Sequence, residues 1–299
     1  MKRNTLMLAC VVLICALMPR VMTAQAVRHS TPEVSPDGQQ ILFVLNDGEQ
    51  SDIYIVNRDG TNITRLTETP NRNEHSARWS PEGDRVVYVA RGDTENALFV
   101  LHLSTNTSSK VVEGSGIQTP SWSPDGLSIV YAAGAFPQLD IYSRDLTRSV
   151  PDRISREGGF IHTPLVSPDG SRIAFVAARL PADSGPRIYV MNADGSAEHP
   201  VSSSEWLAER PAWSPDGDWI AFQALSRPRN GGARTATLRI VRPDGTDGRA
   251  VAAHDRPFLD ESPSWFPDGR RIAFQSNRSG KMRIYVLDLQ DGSVRRVTR

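Results

Sequence analysis

Cysteine is almost missing from this chain, and both copies, Cys10 and Cys15, fall within its first fifteen residues. No thiol follows them, so disulfides and thiol chemistry can support neither fold nor site in the rest of the sequence. Charge of one sign is missing too. The 34 basic residues balance the 34 acidic ones, which gives no global pull toward nucleic acid or anionic lipid. Long apolar runs are confined to residues 6–18, thirteen residues that are too few to span a membrane as a stable helix. Beyond them no stretch shows a convincing helical period. There is no G-x-S-x-G elbow and no phosphate loop, and no Ser-His-Asp set stands out. Composition and motifs therefore point away from the common hydrolase and nucleotide-binding classes.

The apolar run reads as part of a secretory leader. Lys2 and Arg3 precede it, and Ala24-Gln25-Ala26 supplies a small-x-small cleavage site. Residues 1–26 are expected to be a cleaved signal peptide, leaving a periplasmic or secreted protein without a membrane span. Removing the leader leaves 31 basic and 34 acidic residues. The apolar run continues past Cys10, which argues against lipid attachment there.

What the chain does have is repetition. A Ser-Pro-Asp-Gly turn, or a close variant, begins at Ser35, Ser80, Ser123, Ser167, Ser214 and Phe266. The intervals are 45, 43, 44, 47 and 52 residues, a period that marks a repeat architecture. Proline presets φ for the turn, aspartate suits the next position, and glycine supplies the positive φ needed to leave. Apolar, β-branched runs flank each turn, so each string encodes a hairpin. A second apolar run follows, such as "DIYIVN" from Asp52 or "RIYVMN" from Arg187, and then a short closing segment such as "ITRLT" ending at Thr67. Each repeat thus reads as four short antiparallel strands. One such sheet cannot bury both its faces, but a closed ring of six covers every face against a neighbour. The expected fold is an all-β, six-bladed β-propeller over residues 27–299. Its blades are placed at about 31–67, 76–113, 119–155, 163–202, 210–252 and 262–299.

The strings "PAWSPDGDWIAF" from Pro211 and "RIYVMNADGS" from Arg187 resemble the repeats of the TolB-type propeller family. The resemblance covers about residues 31–299 and implies a propeller scaffold that binds protein partners in the cell envelope. TolB-type proteins carry a separate α/β domain ahead of the blades, whereas here only a few residues separate leader and first blade. The propeller also resembles the non-catalytic half of prolyl-oligopeptidase-like peptidases. Related-looking propellers act on sugar polymers, which implies an enzymatic alternative.

Within the repeats, Trp79, Trp122, Trp213 and Trp265 stand just before the turn, with Val34 and Val166 in the other two copies. Such a regular register suits wedges between blades better than a ligand-stacking site. The turn aspartates Asp37, Asp125, Asp169, Asp216 and Asp268 read as structural, because aspartate there bonds its own backbone. Glu82 fills that slot in the second repeat.

Five residues before each turn stand Ser30, His75, Gln118, His162, Glu209 and Glu261, and one residue earlier come His29, Glu74 and Asp260. These begin the strand nearest the axis and are expected to gather at one mouth of the central channel. They could bind a polar ligand or a divalent metal, or form a hydrated rim that satisfies strand ends. No cofactor is predicted otherwise.

The insertion at 224–237, with Arg227, Arg229 and Arg234, could contact an acidic partner or simply be solvated. The tripeptide Arg91-Gly92-Asp93 reads as chance, and the sequons at Asn62 and Asn277 matter only in a glycosylating host. The leading expectation is an exported, non-enzymatic propeller binding a protein partner or small ligand. The alternative is a lyase or hydrolase with a metal near His75 and His162.

Overall fold

A computed structural model describes residues 28–69, 71–92, 96–179, 183, 185–226, 235–251 and 258–299. The leader with its cleavage site, Asp93 of the tripeptide and residues 227–234 of the basic insertion lie outside them. Among the described residues, twenty-four strands form six separate four-stranded sheets, each made of four consecutive antiparallel strands. No described segment is helical. Among the described residues, no helix is long and apolar enough to cross a membrane.

The first strands of blades 1 to 6 are Arg28–Val34, Asn73–Trp79, Gln118–Trp122, Phe160–Val166, Leu207–Trp213 and Asp260–Trp265. Residues 28–30 extend the first strand of blade 1 and pair with its second strand, so this stretch adds no strand to blade 6. The second strands are buried on both faces, as in Ile41-Leu42-Phe43-Val44. That is why they read as continuous apolar runs and not as alternation. In five blades an aromatic of the second strand lies opposite one of the third, for example Tyr88 and Phe99 with ring centroids 5.6 Å apart. Four of the fourth strands have only two residues, which leaves little unpaired edge at the circumference.

The cores lie between blades. Six apolar clusters each join two neighbouring sheets, and the sixth, with Val34, Ile41, Phe43, Phe266 and Ile284, joins blade 6 to blade 1. The ring is therefore closed by side-chain packing. Four seams carry a tryptophan whose indole N–H donates to a backbone carbonyl of the preceding blade. Trp79 reaches Glu33 O at 3.2 Å, Trp122 reaches Arg78 O at 3.3 Å, Trp213 reaches Leu165 O at 3.0 Å and Trp265 reaches Ala212 O at 3.1 Å.

The turns are closed from within. The carboxylates of Asp37, Asp125, Asp169 and Asp216 accept from the turn serine hydroxyl and from a backbone N–H two residues on. Asp268, whose turn begins with phenylalanine, accepts from the Arg270 and Arg271 N–H groups. In blade 2, where Glu82 sits in the slot, Asp84 takes the Ser80 hydroxyl instead. These bonds hold the carboxyls below their ordinary range. The Asp169 carboxyl falls to about 2 through the Ser167 and Ser171 hydroxyls.

Candidate binding site at the channel mouth

Every first strand is interrupted at the same place. Thr31, Ser76, Thr119, Thr163, Arg210 and Ser262 all have positive φ, between 41° and 56°. The pairing register slips at each of them. None of the six is glycine, so each left-handed backbone is sterically strained, at roughly 1–2 kcal/mol per residue. In five blades the next residue is proline, which has no N–H for the ladder to lose. The six bulges form a ring around the axis. They close it to a cavity of about 30 Å³, room for about one water molecule.

Neighbouring blades stitch the ring together. The Thr31 N–H donates to Gln275 Oε1 at 2.8 Å, the Ser262 N–H to Gln223 Oε1 at 3.0 Å, and the Thr163 N–H to Thr119 Oγ1 at 3.0 Å. Each crosses from one blade to the next. Gln223 and Gln275 stand in the equivalent strings "IAFQ" of blades 5 and 6.

Above the ring the channel opens into a mouth of about 880 Å³. Its walls include Ser30, His75 and Glu261 from the strand-entrance set, together with Gln275, Thr31 and Arg210. Arg28, Arg91 and Lys281 are exposed at its rim. Gln118, His162 and Glu209, the entrance residues of blades 3, 4 and 5, are not among its walls. Among the described residues the mouth is thus lopsided, built mainly from blades 1, 2 and 6 with Arg210 reaching in from blade 5, and so is its charge, with four cationic side chains against the carboxylate of Glu261.

The two histidines stand in similar settings. His75 Nδ1 is 3.0 Å from the Ser76 hydroxyl and His162 Nδ1 is 2.8 Å from that of Thr163, so each ring leans on the strained residue that follows it. His162 also packs edge-to-face on Phe160. Burial drives both imidazoles down to about 4. The charge of Arg210 adds to this for both, and Arg91 adds to it for His75. Both rings are therefore neutral at physiological pH.

Glu74 and Asp260 are fully buried and do not line the mouth. Successive strand residues face opposite sides, so the residue just before an entrance residue turns into the seam, whereas the bulge brings the one after it to the channel. Asp260 accepts from Arg278 Nη2 at 2.7 Å. Glu74 lies near Asp52 of blade 1, and burial, reinforced by that negative charge, raises its carboxyl to about 7. The side chain of His29 lies outside the described residues. Among the described residues, no three histidine, aspartate or glutamate side chains converge as a metal-binding group. Of the strand-entrance set, His75 and Glu261 are the two residues that bring a ligating side chain to the described walls of the mouth.

Arg210, Gln223 and Gln275 were not marked by sequence reasoning. Aligning the repeats on the turn would have exposed the first, because the position after the entrance residue reads Thr, Ser, Thr, Thr, Arg, Ser.

The family model for the TolB beta propeller domain matches residues 74–247. The Tol-Pal system protein TolB of Alcanivorax borkumensis is 32% identical over 92 residues, which are 29% of this chain and 21% of that protein. The matches span from 12% to 39% of the curated relatives' lengths. Among solved structures, TolB from Acinetobacter baumannii superposes with a TM-score of 0.69 at 20% identity, covering 95% of this chain and 68% of that one. The oligogalacturonate lyase of Vibrio parahaemolyticus gives 0.60 at 14% identity, covering 93% and 80%. Those two likenesses show the fold, which binding proteins and enzymes share. With more than half its length matched by the family model and six blades of the corresponding architecture, this chain belongs to the TolB beta propeller domain family.

Proposed function

We propose that the protein is exported and acts without catalysis, binding a protein partner or a small ligand at the channel mouth, as a component of a cell-envelope complex. The observation that carries this reading is the mouth itself. A concave opening of about 880 Å³ is of the size that ligand pockets take. Among the described residues it gathers four cationic side chains, on a chain whose formal net charge is zero. The ring of bulges beneath it makes it a blind pocket, suited to receiving a group from one side. Export rests on the leader at residues 1–26, and the envelope setting on the family and on the TolB relatives.

The test is a pull-down from a periplasmic extract. The bait is the protein or its Arg28→Glu/Arg91→Glu/Lys281→Glu variant, and any recovered partner is purified and rebound. A partner retained by the unaltered protein and lost by the variant supports the mouth as the binding face. Equal retention overturns it. N-terminal sequencing of the exported protein checks processing after Ala26.

A further inference from the structure

Three groups on the described walls of the mouth have polar capacity that no hydrogen bond uses. The half-buried Arg210 stands at the closed end of the channel, where the charges of Glu209 and Glu261 act on it but no hydrogen bond or ion pair among the described residues holds its guanidinium. His75 Nε2 and Thr31 Oγ1 are buried, also without a partner. All three line the same cavity. Buried polar groups are nearly always satisfied, and a half-buried charge at the end of a channel seeks a counter-charge. Arginine cannot escape by deprotonation.

The surroundings say what would satisfy them. In the other five blades the position of Arg210 carries a hydroxyl, from Thr31, Ser76, Thr119, Thr163 or Ser262. One guanidinium therefore replaces one hydroxyl in a ring of six, and it does so at the floor of the mouth. Of the two carboxylates whose charge acts on Arg210, Glu261 accepts from Gln275 Nε2 at 2.7 Å and Glu209 lies off the described walls of the mouth. A hydrogen bond donated by the Ser76 hydroxyl to Nδ1 would leave the proton of the neutral His75 ring on Nε2, where it can be donated. A guanidinium fork, an imidazole N–H and a hydroxyl form a donor set for an oxyanion. The exposed cations Arg28, Arg91 and Lys281 around the rim favour the approach of a negative group.

We propose that the floor of the mouth is an oxyanion site, in which a carboxylate or phosphate group of the bound molecule is held by Arg210, with His75 Nε2–H and the Thr31 hydroxyl as further donors. This rests on the channel-mouth reading and names the chemistry that the mouth selects. The ring below stops the group at Arg210, so recognition is of a terminal or protruding anion.

The experiment measures binding of citrate and, separately, of inorganic phosphate to the full mature protein by calorimetry and thermal shift. Chloride at matched ionic strength is the reference. Arg210→Ser gives blade 5 the hydroxyl found in blades 2 and 6, so the ring is kept, and circular dichroism verifies the fold. The expected result is saturable binding of at least one probe. Affinity should fall about tenfold or more in Arg210→Ser, the loss of about one charge-assisted hydrogen bond, and by a smaller factor in His75→Gln. Binding of citrate alone assigns a carboxylate, binding of phosphate alone assigns a phosphate, and binding of both assigns their shared oxyanion chemistry. Neither probe binding above chloride overturns the inference, as does unchanged affinity in Arg210→Ser. If the probes fail while the rim variant still loses its partner, the oxyanion floor falls and the mouth reading stands. If the probes bind and the rim variant keeps its partner, the mouth reading falls alone.

Discussion

Four seams of this ring carry a tryptophan and two carry a valine, and the two kinds are held differently. In a tryptophan seam the indole fills the gap and its N–H caps a carbonyl of the preceding blade. At the seams of Val34 and Val166 there is no indole. There the valine's own N–H donates to a serine hydroxyl of the preceding blade, Ser264 at 3.0 Å and Ser121 at 3.1 Å. The outer turns also approach more closely. A Cβ built on Gly60 would lie 2.4 Å from Val297 O of blade 6, and one on Gly195 would lie 2.2 Å from Ile154 O of blade 3. Gly292, in the same turn at a tryptophan seam, has nothing within 4 Å. A large side chain holds two blades apart at one kind of seam, and at the other the backbones come together around a glycine.

The largest test of that contrast is Trp122→Ala. It empties a seam also covered by Arg85, whose guanidinium lies 4.7 Å from the ring centroid. Denaturant unfolding should show a loss of about 3–5 kcal/mol. A loss under about 1 kcal/mol would mean that the indole is not a wedge.

Gly60→Ala should cost about 1–3 kcal/mol, because its φ of 90° is unfavourable for alanine and the new methyl group meets a carbonyl. Gly292→Ala shares the positive φ without the collision and should cost less. Equal costs would erase the distinction between seams.

A smaller effect is expected from Ser264→Ala, which strips the acceptor from the Val34 N–H. About 1 kcal/mol should be lost in the melting analysis. The matching residue at the tryptophan seam between blades 5 and 6 is already Ala212, which offers only its carbonyl.

The last test concerns Glu74 at the seam of blades 1 and 2. The folded protein keeps a proton on this carboxyl that the unfolded chain releases between the usual 4.5 and about 7. Its contribution to stability therefore falls as pH rises through that window. Glu74→Gln should raise the melting temperature at pH 8 and leave it unchanged near pH 4. A gain of equal size at both pH values would refute the assignment.

Much of the fold was legible because the hairpin string is local chemistry written six times, and its period dictates the number of sheets. The tryptophans were legible for the same reason, since a fixed register implies a fixed place in every seam. The mouth was only half legible. Grouping Glu74 and Asp260 with His75 and Glu261 ignored strand parity, which sends adjacent residues to opposite faces. The six left-handed bulges gave no glycine signal, because threonine, serine and arginine occupy them. Arg210 is conspicuous only after those bulges are aligned, when a charge stands where five hydroxyls do.

Among the described residues each four-stranded ladder lies within one blade, and main-chain bonds across a boundary are few, such as Ala236 N–H to Phe258 O at 3.2 Å and Ala208 N–H to Pro186 O at 2.9 Å. Such a ring is mechanically a set of stiff leaves joined mainly through side chains. Spreading two leaves slightly would change the bore of the aperture at the cost of few main-chain rungs. Its diameter is therefore governed by the side chains between the leaves, and substitutions far from the axis can tune what the axis admits.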